Sequence, residues 1–464
     1  MVLVAGCTFT TDGNPVSIYA DPFTVGGLPA KGGPSGPRDG VPDSDIVAEN
    51  GDRGDIDRLA INAVDDIQAF WRAEYPKHFK GDFAPVDKLV SWDAKTPKAR
   101  AIQFCTFNTS GVANAAYCVK DNTIGWDRRL LLPAMIDAFG PMAVVMVLAH
   151  EYGHAIQHHS GIVGDDDPGI VLEQQADCFS GAFMRYVVEG KSKHFTLNTA
   201  DGLNSVLAAA VSIRDSNPND PKAIHGSAFE RVTAVQIGFT DGPAGCVKID
   251  EQEVESRRGD LPQRFSSAEE TGELPVTEQS LTELSKALET EFPIKDKPRV
   301  TYGGYDLQCK DGRATEPVSY CPATNTIGAD VPSLAERGTP QEDDGGIQMT
   351  VTGDYGAYVV FASRYMLALQ KSRGQNLTEA KAGLRAACLS GVLTAKLSED
   401  GRDPARGDIT LSPGDLDEAV SGLLTDGLVA SNVNGETVPS GFSRVDAFRS
   451  GVLGGESRCA ANYT

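Results

Sequence analysis

Seven histidines occur in the 464 residues, and four of them fall within ten positions, in the stretch LAHEYGHAIQHHSG at 148–161. An α-helix turns about 100° per residue, so side chains four apart share a face and sit one turn apart. His150 and His154 therefore present their imidazoles together, with Glu151 rotated to one side. This is H-E-x-x-H, a spacing suited to holding zinc beside a carboxylate base. His158 lies eight residues beyond His150, about 12 Å along the axis, which ligand bonds near 2 Å do not bridge. His159 faces the opposite side, and both read as surface histidines. A third ligand must come from another segment. Glu173 opens E-Q-Q-A-D, and Asp177 stands four residues later on the same face. A carboxylate with an aspartate one turn away suits a ligand pair: Glu173 on the metal, Asp177 accepting the outer N–H of a ligand histidine and fixing its tautomer. The expected set is His2Glu with one position open to water, one zinc per chain, in the N-terminal half.

The elements that must position these groups follow from periodicity and punctuation. Pro141 to His159 reads as a long buried helix, with proline near its start and Gly161 just past its end. DDDPG breaks the chain, and Ile170 to Val188 reads as the next helix. Residues 55–75 carry apolar side chains at helical spacing, with the helix expected to stop at Pro76. Residues 101–126 alternate with turn residues and read as strands. Helices mixed with a small sheet make the fold class α+β. Arg53–Asp55 reads as the turn that starts the first helix, and Asp165, Asp166 and Asp167 as a solvated acidic loop.

The chain also repeats itself. AYCVKDNTIGWD (116–127) matches SYCPATNTIGAD (319–330), and VLAHEYGHAIQ (147–157) aligns with VFASRYMLALQ (360–370). EQQADCFSGAF (173–183) aligns with GLRAACLSGVL (383–393), and FERV to Cys246 matches FSRV to Cys459. Four blocks in the same order indicate a tandem duplication. It suggests equivalent bridges: Cys105–Cys118 with Cys309–Cys321, and Cys178–Cys246 with Cys388–Cys459. Across the alignment His150 becomes Ser363, Glu151 Arg364, His154 Leu367, Glu173 Gly383 and Asp177 Ala387. Every candidate catalytic group is lost while cysteines and packing residues remain. The expected organisation is a flexible tether at 1–50, a domain carrying the candidate metal ligands at 51–255 and a degenerate copy of it at 256–464. The acidic stretch 250–277 reads as the link. NTIG survives in the degenerate copy and reads as a hairpin turn, although an edge strand there could align a peptide backbone.

Net charge is −22, and no basic patch stands out, which argues against nucleic acid as a partner. No apolar run is long enough to cross a bilayer. MVLVAGC resembles the lipobox of bacterial lipoproteins, which implies lipidation at Cys7 and a lipid-anchored, extracytoplasmic protein. A Gly/Pro/Ser/Asp-rich tail follows. Of nine cysteines, eight remain once Cys7 is set aside, an even number fitting a disulfide-forming compartment.

HEYGHAIQ, then E-x-x-A-D, then HGSAFERV (225–232), with the Y-C-x-x-D-x-x-I-x-x-D block ahead of them, resembles the bacterial neutral zinc metallopeptidase family. With the lipobox, the chain is similar to lipoprotein peptidases of mycobacteria and related actinobacteria. The resemblance covers roughly residues 55–246. It implies a zincin-like fold of the gluzincin type, with His150, His154 and Glu173 as ligands and Glu151 as catalytic base acting on a peptide or protein substrate. His225 is the candidate donor to the oxyanion; Tyr152 and Arg231 are weaker ones, and Arg231, which persists as Arg444, reads better as a structural ion pair. The rival expectations are a non-catalytic zinc-containing lipoprotein serving as a binding or scaffold module, a hydrolase of a different bond such as a cell-wall amide, and a scaffold without metal.

Overall fold

The computed structural model describes residues 21–164, 166–215, 219–220, 224–259, 261–265, 272–341, 350–398 and 409–463. Cys7, the proposed site of lipidation, and Asp165 lie outside the described residues. The chain opens with short strands β1 (Thr24–Val25), β2 (Leu28–Pro29), β3 (Gly36–Pro37) and β4 (Ala48–Glu49), then helix α1 (Asp55–His78). Strands β5 (Lys88–Trp92), β6 (Gln103–Phe104), β7 (Phe107–Asn108), β8 (Ala115–Cys118) and β9 (Thr123–Asp127) follow. Next come α2 (Leu131–Phe139), α3 (Pro141–Ser160), α4 (Gly169–Val188), β10 (Phe195–Thr196), α5 (Asp201–Ser212), α6 (Ala228–Asp241), α7 (Pro243–Cys246) and α8 (Glu251–Arg258). The rest of the chain forms α9 (Glu278–Glu291), β11 (Arg299–Thr301), β12 (Val318–Cys321), β13 (Thr326–Ala329) and α10 (Val331–Arg337), then α11 (Asp354–Ser372), α12 (Ala380–Ser398), α13 (Asp415–Leu424) and α14 (Gly441–Tyr463). Small sheets beside many helices make this an α+β protein. Among the described residues no helix is long and apolar enough to cross a membrane.

The larger sheet has the order β4-β5-β9-β8, with β5 parallel and β8 antiparallel to β9, so β8 is an edge strand. The smaller sheet, β11-β13-β12, has the same relations: β11 parallel and β12 antiparallel to β13. Each β8–β9 and β12–β13 hairpin turns through an asparagine at positive φ, Asn122 (51°) and Asn325 (50°), a conformation asparagine tolerates better than most residues. Four disulfides close the expected pairs, Cys105–Cys118, Cys178–Cys246, Cys309–Cys321 and Cys388–Cys459.

Helix pairs α4/α6 and α12/α14 cross at glycines that leave no room for a side chain. A Cβ on Gly181 would fall 2.1 Å from the Val235 carbonyl oxygen, and one on Gly238 would fall 1.7 Å from that of Cys178. At the other crossing the distances are 2.1 Å from Gly391 to Phe448 O and 1.8 Å from Gly451 to Cys388 O. Each crossing is stapled by a disulfide, from Cys178 on α4 to Cys246 at the end of α7 and from Cys388 on α12 to Cys459 on α14.

Several expectations are corrected. Residues 21–50 are no flexible tether: β3 pairs with β10, Lys31 N–H donates to Thr199 Oγ1 (2.8 Å), and Asn198 Nδ2 donates to Gly33 O (2.6 Å). Glycine and proline keep this segment extended, and the buried polar groups near Asn198 supply its partners. Helix α1 runs past Pro76 to His78, since a proline in the last turn forfeits one backbone bond. The stretch expected to link the halves begins with α8, capped by Asp250 and bonded to the first half through Arg257 to Gln174 Oε1 (2.9 Å) and Arg258 to Glu230 (2.8 Å). The boundary drawn at 255/256 therefore cuts a helix. The apolar core is also continuous across both halves. The Phe239 and Phe442 rings meet at 5.1 Å in a tilted contact, Gln236 Nε2 donates to Phe442 O (2.9 Å), and Asp417 accepts from Phe229 N–H (3.1 Å) while pairing with Arg214.

At the start of α11, carboxylate oxygens of Glu273, Asp354 and Glu418 lie within 4.8 Å of one another. The Asp354 and Gly356 N–H groups donate to Glu273 (3.2 Å) and Glu418 (3.0 Å), using the positive end of the helix. Burial nevertheless pushes the Asp354 carboxyl up to about 7, with Glu273 adding repulsion, and drives Asp415 and Glu418 well above the usual carboxylate range.

Two outcomes are expected. Gly238→Ala should cost about 2 kcal/mol or more in denaturant unfolding, because the α4/α6 crossing must open; a stability equal to that of the parent would contradict the crossing. Asp354 stays neutral in the fold while it ionises in the unfolded chain, so its contribution to stability is complete below 3.8 and is lost as pH rises through about 7. Asp354→Asn should reduce the fall in thermal midpoint over that window relative to the parent.

Candidate metal centre

Helix α3 is apolar on nearly every side before His150, and Met142 through His150 are all buried. A segment of this pattern belongs between other elements. Pro141 starts it, and Gly161, at φ 64°, ends it with its N–H on Gln157 O (3.0 Å). Helix α4 lies against it so closely that a Cβ on Gly153 would sit 2.9 Å from Ala176 Cα. That approach carries Glu173, one turn before Ala176, to the two histidines.

His150 Nε2 lies 3.2 Å from Glu173 Oε2, and His154 Nε2 lies 3.6 Å from Glu173 Oε1. In a tetrahedral site with bonds of about 2.0–2.1 Å, ligand atoms stand roughly 3.3 Å apart. The three side chains are thus spaced as ligands of one ion, and zinc fits them. A second observation agrees: Glu173 Oε2 is buried without a hydrogen-bond partner. His150 commits its Nδ1 to Asp177 Oδ1 (2.8 Å), so in the neutral ring the Nε2 lone pair faces that bare oxygen. Two acceptors in that position repel unless a cation lies between them.

A proton competes for the same place. Burial by itself would lower the basicity of His150, but the charges of Asp177 and Glu173 outweigh it and push the ring up to about 10. Burial would likewise raise Glu173, and the neighbouring imidazoles hold it well below the usual carboxylate range instead.

Glu151 stands beside this pair, half-buried. Its Oε2 accepts the Tyr117 N–H of edge strand β8 (2.9 Å). Burial raises its carboxyl, an effect that His150 and His154 only partly offset, so the group is poised to accept and return a proton. His225 also arrives at the site, with Nε2 3.9 Å from Glu173 Oε2 and Nδ1 3.1 Å from Asp215 Oδ1. Burial would raise Asp215, but its bonds to His225 and the Gly226 N–H hold it lower. The loop is seated by Gly226 at φ 85° and by a capping box in which Ser227 and Glu230 each take the other's N–H.

The structure thus brings together His150, Glu151, His154, Glu173, Asp177 and His225. Arg231 is buried and pairs with Asp177 Oδ1 (2.8 Å), the structural role read from its persistence as Arg444. Tyr152 is corrected as a donor: its hydroxyl is buried and accepts the Val86 N–H (3.3 Å). His158 is exposed, and His159 bonds Asn122 (2.9 Å). Asp166 and Asp167 are exposed on their loop. Three contributors escaped the sequence reading. Asp215 is ten residues before His225 with no pattern linking them, and the Tyr117 N–H is backbone. Gln157, three residues after His154 on the same face, carried a usable helical signal.

No family model matches the chain, and no solved structure matches it. It is similar to proteins of Mycobacterium bovis and Mycobacterium tuberculosis, 28% identical over an alignment 150 residues long that covers 27% of this chain and 51% of each of theirs. Those relatives are themselves described as uncharacterized. The chain spans about half the length of the curated relatives it matches.

Asp177 answers two buried partners, His150 and Arg231. Asp177→Ala should lower stability by about 3 kcal/mol or more in denaturant unfolding, because it leaves the Arg231 guanidinium buried without its counter-charge. A loss under 1 kcal/mol would mean that the pair is not closed as described.

Proposed function

We propose that the chain is a zinc-dependent endopeptidase of the neutral zinc metallopeptidase family, with a zincin-like catalytic half followed by a degenerate tandem copy. The observation that carries this reading is the convergence of His150, His154 and Glu173 at 3.2 and 3.6 Å, with Glu151 alongside and Asp177 behind. A structural zinc site has no need of a base next to an open position.

His150, His154 and Glu173 would hold the zinc, which would act as a Lewis acid towards a carbonyl and water. Glu151 receives the proton of the attacking water and passes it to the leaving amine. His225, on the solvent side of Glu173, is placed to donate from Nε2 to the oxyanion. With Nδ1–H given to Asp215, the ring would offer an N–H at Nε2 only as the cation. Among the described residues β8 pairs with β9 alone, and on its other side the Tyr117 N–H meets Glu151. A peptide added along that edge would pass the catalytic carboxylate.

The tandem-copy reading is supported by the matching strand relations, the paired disulfides and the paired glycine crossings. In the second half Arg364, aligned with Glu151, turns to Leu428 O and to Ser431 Oγ (2.8 Å). A Cβ on Gly383, aligned with Glu173, would fall 2.1 Å from Ala430 O. The short turn at 428–430 fills the place of the site. Both halves line a cavity of about 520 Å³ beside the His225 loop, with Asp215 and Gly226 from one half and Thr352, Pro413 and Leu416 from the other. The disulfides favour an oxidising compartment outside the cytoplasm, as the lipid anchor on Cys7 requires.

Two measurements test the reading. The protein purified without chelator should carry one zinc per chain. Glu151→Gln should reduce cleavage of an unfolded protein substrate by at least about 100-fold while keeping that zinc. Full activity in this variant would remove the mechanism, and cleavage of wall fragments but not peptides would redirect it to another bond. Zinc retained without any hydrolysis by the parent would favour a scaffold role.

A further inference from the structure

The two histidines of the centre do not have equivalent partners. His150 gives Nδ1 to a carboxylate, whereas His154 Nδ1 lies 2.9 Å from Gln157 Oε1. Gln157 is buried, and its amide orientation is determined by its surroundings. Nε2 donates to Leu172 O (2.7 Å) and to Gln175 Oε1 (3.1 Å), and Gln175 Nε2 donates in turn to Ile249 O (2.7 Å). A backbone carbonyl can only accept, so the flipped amide would set oxygen against oxygen at Leu172. Gln157 Oε1 therefore faces His154, Nδ1 carries the proton, and the Nε2 lone pair turns towards Glu173. The same amide binds the carbonyl of the residue before Glu173, so one side chain ties a ligand on α3 to the start of the ligand-bearing turn of α4.

The second half contains the same device without its histidine. Gln370 aligns with Gln157, Ala382 with Leu172 and Leu367 with His154. Gln370 Nε2 donates to Ala382 O (3.1 Å), as Gln157 does to Leu172. Its Oε1 is buried and has no hydrogen-bond partner. An acceptor stranded in an apolar core is costly. In the first half the aligned acceptor, Gln157 Oε1, meets the His154 imidazole instead.

We infer that Gln157 is a positioning residue that selects the Nδ1–H tautomer of His154 and holds its Nε2 towards the metal, and that Gln370 is the stranded remnant of the same lock. This rests on the proposed zinc centre and on the tandem-copy reading. It assigns the centre an uncharged amide behind one ligand and a carboxylate behind the other.

The test uses Gln157→Leu in the full chain, with Gln370→Leu as its counterpart and Gln157→Met as a substitute should the leucine variant fail to fold. Nitrogen-15 NMR of the metal-free protein reads the His154 tautomer, and competition with a chromophoric chelator reads zinc affinity. The parent should show Nδ1–H alone. Gln157→Leu should lose that single tautomer and bind zinc about 10- to 100-fold more weakly. Gln370→Leu should leave both readings unchanged. A folded Gln157 variant with the parent's tautomer and affinity would overturn the inference, as would Nε2–H in the parent. A parent that binds no zinc would defeat the metal reading, while the tautomer measurement would still decide the role of Gln157.

Discussion

The approach of α4 to α3 at Gly153 and Ala176 decides the geometry of the candidate centre. Two histidines four apart on a helix supply only one side of a ligand set, because a single helix cannot curve back on its own ion. The third group must be brought by a second backbone at a distance that a side chain at position 153 would prevent, since even a Cβ would reach 2.9 Å from Ala176 Cα. With that contact made, the helical repeat of α4 does the rest. Glu173 and Asp177, one turn apart, reach opposite nitrogens of His150: Glu173 lies at Nε2 and Asp177 at Nδ1.

Charge in this apolar setting has to be answered locally. Asp177 meets His150 and Arg231 together, and Asp215 meets His225. The second half answers its buried charge differently. Arg364 and Arg444 turn to backbone carbonyls at Leu428, Val438 and Leu424, and burial pushes both guanidinium groups down to about 10. Carbonyl-capped arginines keep such a core folded but offer no lone pairs to an ion. The 428–430 turn packs closely on α12 here, so that a Cβ on Gly383 would fall 2.1 Å from Ala430 O.

The halves are joined by more than a covalent link. Asp417 in α13 accepts the Phe229 N–H at the start of α6 and pairs with Arg214, so the second half holds the segment from which His225 and Asp215 reach the site. Residues 21–50 strap the outside of the first half through Thr199 and Asn198. A continuous core and this shared junction make the position of the His225 loop depend on both halves.

The sequence by itself determined whatever depends on local repeat. Helical spacing was enough to place His150, His154 and Glu151 on α3 and to set Glu173 and Asp177 on one face of α4. Proline and glycine marked the limits of α3, and the internal repeat paired all eight remaining cysteines. The extended segment 21–50, the helix at 251–258 and the shared core were not legible, because each depends on partners distant in sequence whose composition carries no period. The roles of Asp215 and the Tyr117 N–H were hidden for the same reason. Only the tertiary structure could decide that Glu173 Oε2 meets His150 Nε2 without a hydrogen-bond partner, since the separation of two helices is set by what packs between them and not by either repeat.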